Sequence, residues 1–488
     1  MKRITFTSNG SFLIIVVLAA ALGLVAVRPS AVEESASAES TPAGQKAPDA
    51  ASLGDVPPFP KGFDWPANPS VLNAAIQRRD WATLRKHGWW LWAGLNTTTA
   101  GGNPLWWSWP TASQAFPPSA ETLRAVNAAN TPINLHGPWY PVPKVVNGTC
   151  QTGTTSGLPD GYRFQSNGDI MIVDVVYNKD VFEWIGKDNV NQASALDARW
   201  KNGDKNIKPF PSNSIVLKHM YWPAKDDGYT PLPVWDPAYY PSQPAYVGYE
   251  FWKRAVAIDP TGLPVPPNKS VPVEYLFHIL RSETIRAPLP TVKTNAKVVS
   301  INAFYHHRVT GEELKAMSAN DLAIVNAAAC WLYDRPFQAN DYLVSIAMHI
   351  NTREIDTWTL QSLWWHDKPN AGPSAENRPD IPQTKVRGPW RHYLMTIEYG
   401  IEAKPGVLPV AYNPYIELAA GHPIQTNCRN CHTRAAWPRG FNPPRPPPTA
   451  SYLAPNGPDA LANLKPTDKI FNGLMRMDFQ WSASNRAK

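Results

Sequence analysis

The chain has 488 residues, with 43% hydrophobic residues, a formal net charge of +7, 51 prolines, 21 tryptophans and only four cysteines. That apolar share supports a packed core, while proline at about twice its usual share excludes a helix bundle and calls for short elements joined by fixed loops. No motif in it points to nucleic acid, and the orders expected of a serine hydrolase, a phosphate-binding loop, a dinucleotide fold or a zinc protease are absent.

Met1-Lys2-Arg3 precedes a polar stretch, a 16-residue apolar run from Phe12 to Val27, and Ala36-Ser37-Ala38. This is the pattern of a secretory signal peptide over residues 1–38. If the signal stays uncleaved, the run anchors the chain to a membrane; either way the remainder is periplasmic or otherwise exported. Residues 39–60, rich in Ala, Ser, Pro and Glu, read as a flexible linker. A body spans 61–410 and a distinct C-terminal region spans 411–488.

Within the body, Val71, Leu72, Ala75 and Ile76 predict a helix from Ser70 to Arg79, and Asp80 can cap a second from Trp81 to Trp92, with Gly88 a possible break. Gly94 to Phe116 reads as a Trp-rich loop. It either fills the core or offers an aromatic platform to a ligand. Asp169 to Gly186 is one helix, or a strand followed by a helical turn. Strands are expected at Ser214–Trp222, Tyr249–Asp259 and Val273–Arg281, with Pro231–Pro237 an extended loop. A long helix from Thr310 to Tyr333 opens on a Thr310/Glu313 capping box and buries Cys330. A hairpin follows, with strands Tyr342–Ile350 and Ile355–His366 and a turn at Asn351–Glu354. Alternation puts Leu343, Ser345, Ala347 and His349 on one face, mostly small or polar, with room for something flat. Trp358, Leu360, Ser362, Trp364 and His366 share a face on the partner strand. Arg391–Tyr399 is a further strand, and Asn413-Pro414 opens a short helix ended by Gly421. Pro438–Pro448 reads as a polyproline-like loop. The expected fold class is mixed α+β: a large β-rich and loop-rich domain with a short C-terminal helical segment packed on it.

That segment carries Cys428-Arg429-Asn430-Cys431-His432. Two thiols three positions apart followed by His is the attachment pattern of haem c: each Cys forms a thioether to a vinyl group and His432 becomes an axial iron ligand. Chance produces roughly one such match in a thousand chains of this composition. Zinc would need two more nearby ligands, and the other cysteines, Cys150 and Cys330, are distant in sequence. Those two either pair or stay reduced.

At these residues the chain resembles the c-type cytochromes, and more broadly large exported bacterial proteins with a single C-terminal C-x-x-C-H. The resemblance implies one covalent haem c held by Cys428, Cys431 and His432. It departs from small cytochrome domains, since only 56 residues follow His432. The sixth iron ligand is open among Met475, Met477 and His349, with His366 and His392 as further options. The region from Gly421 to Lys488 holds nine Lys/Arg against three Asp. That surface either docks an acidic redox partner protein or balances haem propionates. Two functional classes stand beside each other: an electron-transfer protein, or a haem-dependent oxidoreductase, peroxidase-like or oxygenase-like, acting on a small organic substrate. A third reading is a ligand-binding module with a redox haem. One motif excludes di-haem chemistry. Whether the protein is an enzyme stays undecided at this level.

Overall fold

The computed structural model describes residues 59–99, 103–116, 144–146, 148–151, 172–236, 252, 254–275, 292–317, 319–333, 335–371, 374–381, 389–419, 426–438 and 461–487. The expected signal peptide, nearly all of the linker and most of the polyproline-like loop lie outside them. The described residues all fall in one unit, Leu53–Lys488. None of its described helices is long and apolar enough to cross a membrane.

The architecture is mixed α+β. Helix α1 (Pro69–Arg78) starts where Asn68 accepts a hydrogen bond from the Ser70 N–H at 2.9 Å and Pro69 presets the first turn; Arg79, at φ 54°, ends it. Asp80 caps α2 (Trp81–Leu95) through Thr83. This helix runs through Gly88 because a side chain there would press on Met395 and Gln361 beneath it. The glycine lets helix and sheet approach closely instead of breaking the helix.

Asp169–Gly186 resolves as a strand then a helix: β1 (Ile172–Tyr177), Asn178 as cap, and α3 (Lys179–Lys187). Helix α4 (Ala193–Lys201) and β2 (Ile215–Ala224) follow. The next four strands are β3 (Thr230–Pro233), β4 (Ala255–Asp259), β5 (Ser270–Tyr275) and β6 (Val292–Ser300), ordered β3-β4-β6-β5 in one sheet. The proline-rich stretch expected as a loop thus contributes an edge strand, the position where a missing N–H is tolerated. After β7 (Tyr305–Arg308), the predicted long helix divides. Helix α5 (Gly311–Ala316) keeps the capping box, Met317 turns extended, and α6 (Ala319–Tyr333) resumes. Cys330 is fully buried and forms a disulfide with Cys150.

The main sheet is antiparallel and built on β8 (Tyr342–Thr352). Its order is β10-β9-β8-β2-β1, with β9 (Thr359–Trp365) and β10 (Tyr393–Glu398), and β7 also pairs with β8. Two expectations for the hairpin change. Strand β8 extends through Thr352, so the connection is Arg353–Trp358 rather than Asn351–Glu354. A bulge between Ser345 and Ala347 also slips the register against β2, so Val344 pairs with Trp222 while Ala347 pairs with Met220 and His349 with Lys218. One inserted residue changes faces. Val344, not Ser345 or Leu343, therefore shares the face of Ala347 and His349.

The C-terminal region is interleaved with this body. Helix α7 (Cys428–Thr433) leads to β11 (Ala436–Trp437), which pairs with β12 (Met475–Arg476) ahead of α8 (Trp481–Arg486). Arg476 exchanges backbone hydrogen bonds with the Lys205–Ile207 segment. The Trp200 indole donates to the Gly473 carbonyl at 2.7 Å and the Trp437 indole to Asp197 at 3.0 Å.

Candidate haem-attachment site

Asn427 anchors the site. Its side-chain oxygen accepts from the Arg429 and Asn430 N–H groups at 2.8 and 3.2 Å, capping α7. Its amide nitrogen donates to the Pro409 carbonyl at 2.8 Å and to the buried carboxylate of Glu398. A parallel bridge between Ala411 and Asn427 brings the Cys428 N–H to the Ala411 carbonyl at 3.1 Å. The Asn413 side chain starts the next short helix (Ile416–Ala419) by accepting from Tyr415 and Ile416. That turn delivers Glu417.

Neither Cys428 nor Cys431 is in a disulfide. Burial first, then the carboxylates of Glu417 and Glu398, hold the Cys428 thiol well above its usual range. A redox C-x-x-C needs the opposite shift, toward thiolate. Zinc wants four donors, and the described residues contain no group of three or more His, Cys, Asp or Glu suited to a metal ion. His432 donates from Nδ1 to the Phe479 carbonyl at 2.8 Å, which fixes the tautomer and leaves Nε2 as the acceptor nitrogen of the ring. Its pKa is pushed down to about 4, mainly by burial. The Phe479 carbonyl opposes that shift, nearby His349 and Lys218 add to it, and Glu417 offsets part of it. The imidazole is thus held neutral, the form that binds iron.

His349 therefore sits in the electrostatic reach of His432. Its Nε2 lies 3.2 Å from a Glu417 oxygen without an aligned hydrogen bond, while the other Glu417 oxygen accepts from the Asn413 N–H at 2.7 Å. The strand register gives this position its setting. One cross-strand row runs Thr396, Ser362, His349, Lys218, Val175 across five strands. Thr396 and Lys218 are the only half-exposed residues of their strands, and His349 is the only one of β8 beyond its first residue. Ser362 is buried in the same row with its hydroxyl unpartnered. Across β10, β9, β8, β2 and β1 this row thus gathers polar side chains, three of them half-buried, in strands that are otherwise almost wholly buried.

The other sequence candidates fall away from this row. Met475 pairs with Trp437, and the Met477 N–H donates to Ala435. Both methionines are fully buried. His366 has Nδ1 accepting from the Lys368 N–H at 3.0 Å and Nε2 3.4 Å from Arg254, which grips Asp367. His392 adjoins Trp365 and is held neutral by burial and by Arg378 and Arg391. The Trp-rich loop is across the sheet. Trp106 stacks on His219 at 3.7 Å, and His219 neighbours Lys218 in β2, so it points to the opposite face.

Sequence reasoning missed Glu417, Lys218, Ser362, Thr396 and the Asn427 network. A lone Lys inside Ile215-Val216-Leu217-Lys218-His219 was a visible signal. Glu417 carried none, since its meeting with His349 spans 68 residues of chain. No family model matches the chain, and neither do any of the curated proteins or solved structures compared with it.

Proposed function

We propose that this chain is an exported c-type cytochrome with one covalent haem, acting in electron transfer. Cys428 and Cys431 would hold the haem by thioethers and His432 Nε2 would bind its iron. When bound, the haem supplies a one-electron redox couple. The observation that carries the reading is the His432 arrangement. Nδ1 is tied to a backbone carbonyl, which leaves Nε2 as the acceptor nitrogen of the ring, and neither thiol is in a disulfide. We favour His349 as the sixth ligand because it is among the charged groups that act on His432 and sits at the half-buried polar row of the sheet. Electron transfer is favoured over catalysis because Trp106 of the Trp-rich loop stacks on His219, on the opposite face of β2 from Lys218. The basic C-terminal region suits docking of an acidic redox partner.

A second reading keeps the haem but makes the protein an oxidoreductase on a small organic substrate. The His349–Glu417 pair supports it, since an imidazole beside a carboxylate can carry a proton. The test is the visible spectrum of the reduced exported protein with and without carbon monoxide, for wild type and His349→Ala. Wild type unchanged by carbon monoxide and His349→Ala shifted is the expected result. A shift in wild type favours the enzyme. Covalent haem persisting in a Cys428→Ala/Cys431→Ala protein, or no haem in wild type, overturns the reading.

A further inference from the structure

Behind His432 the backbone takes an unusual path. Asp478 and Phe479 are consecutive non-glycine residues in the left-handed region, at φ 45° and 66°. They are the only such consecutive pair among the described residues. Among the described residues the only aromatic ones in that region are Phe479 and Trp358, and the Trp358 side chain lies within reach of the Asp478 carboxylate. Bulky side chains resist this conformation, so it persists only where surrounding contacts impose it.

The contacts centre on the Asp478 carboxylate. It accepts from the Phe210 N–H at 2.9 Å and from Arg353 Nε at 3.2 Å. Arg353 is itself fixed, its N–H donating to Ser214 and its guanidinium to the Ile355 carbonyl at 3.1 Å. The Phe479 ring lies under the Arg429 guanidinium at 5.6 Å, and the Trp481 indole donates to the Cys431 carbonyl at 3.0 Å. The turn is thus pinned on both sides of the one carbonyl that meets His432 Nδ1.

We infer that Asp478 is a positioning residue: its carboxylate holds the strained turn that aims the Phe479 carbonyl at His432 and thereby sets how strongly that imidazole donates to iron. The inference rests on the proposed role of His432 as the haem ligand. A carbonyl on Nδ1 raises the basicity of Nε2. A more basic ligand favours Fe(III) over Fe(II), so loosening the turn moves the equilibrium toward Fe(II).

The experiment compares haem-loaded wild type with Asp478→Ala and Asp478→Asn. It reads the midpoint potential by spectroelectrochemistry and the exchange of the His432 Nδ1–H by NMR. Asp478→Ala is expected to shift the Fe(III)/Fe(II) equilibrium toward Fe(II) by about tenfold, about 59 mV for a one-electron couple, and to speed Nδ1–H exchange. Asp478→Asn keeps an oxygen that can accept from the Phe210 N–H and Arg353, so it should stay closer to wild type. Should the Ala variant fail to fold, Arg353→Met, which releases the same carboxylate from its other side, decides. A haem-loaded Ala variant with wild-type potential and exchange would overturn the inference. An Asn variant shifted as far as Ala would also overturn it, assigning the effect to the charge rather than to the clamp. Absence of haem from wild type would fail the function reading instead, and Nδ1–H exchange would still report whether Asp478 holds the carbonyl.

Discussion

Replacing Asn427 with Ala removes four hydrogen bonds at the base of the motif helix. The side chain is fully buried, so no water takes its place. Loss of the cap on α7 costs about 1 kcal/mol. The Pro409 carbonyl and the Glu398 carboxylate each lose a donor in the interior, at about 1–3 kcal/mol per stranded group. Glu398 still accepts from the Gly400 N–H, and burial already raises its pKa, so part of its cost is met by taking up a proton. Because the groups share one network, the contributions are not independent, and about 3–5 kcal/mol is the expected loss. Urea unfolding at pH 7, followed by tryptophan fluorescence, should show the midpoint falling at constant m-value. Asn427→Asp separates the two roles. It keeps the capping oxygen but presents an acceptor to Glu398 and Pro409, so it should lose about as much as Ala. A loss below about 1 kcal/mol in the Ala variant, or full stability in the Asp variant, would refute the argument that Asn427 joins the motif to the body.

Two further outcomes follow from other parts of the fold. His219 is buried with both ring nitrogens unpartnered, and burial holds its pKa well below 6.5. The unfolded chain takes up this proton first, so the stabilisation is complete above pH 6.5 and lost as pH falls below it, by up to about 1.4 kcal/mol per pH unit. His219→Phe should remove one proton's worth of that slope in urea titrations, and parallel wild-type and variant curves would refute it. The Cys150–Cys330 disulfide closes a separation of 180 residues, worth about 5 kcal/mol in the chain-entropy picture. A Cys150→Ala/Cys330→Ala protein should therefore unfold at much lower urea, and an unchanged midpoint would show that the bond does not constrain the unfolded chain.

Local chemistry was readable wherever the interacting groups are neighbours in the chain. Asp80 as a cap, the Thr310/Glu313 capping box and the pairing of two strands between residues 342 and 366, though not their turn, appear as expected from spacings of a few residues. Errors arose where packing overrode local preference. Gly88 reads as a breaker until Met395 is found beneath it, and the Pro231 stretch reads as loop until a sheet edge accepts it. The bulge at Ser345–Ala347 is a third case. Strict alternation put Ser345 beside His349, and one extra residue in one strand reversed it.

For the site, residue order alone carries the haem c proposal, because two thioethers and an axial ligand would need only the spacing of Cys428, Cys431 and His432 on one helical turn. It leaves the proposed ligand set incomplete. Only the tertiary structure decided what surrounds that turn. His349 arrives from the central strand, Glu417 from a turn capped by Asn413, and the Phe479 carbonyl from a strained corner held by Asp478 and Arg353. Each is brought in by sheet register or by a clamp spanning tens to more than a hundred residues. Such separations leave no periodic trace in the chain, because their geometry is set by packing rather than by neighbouring residues.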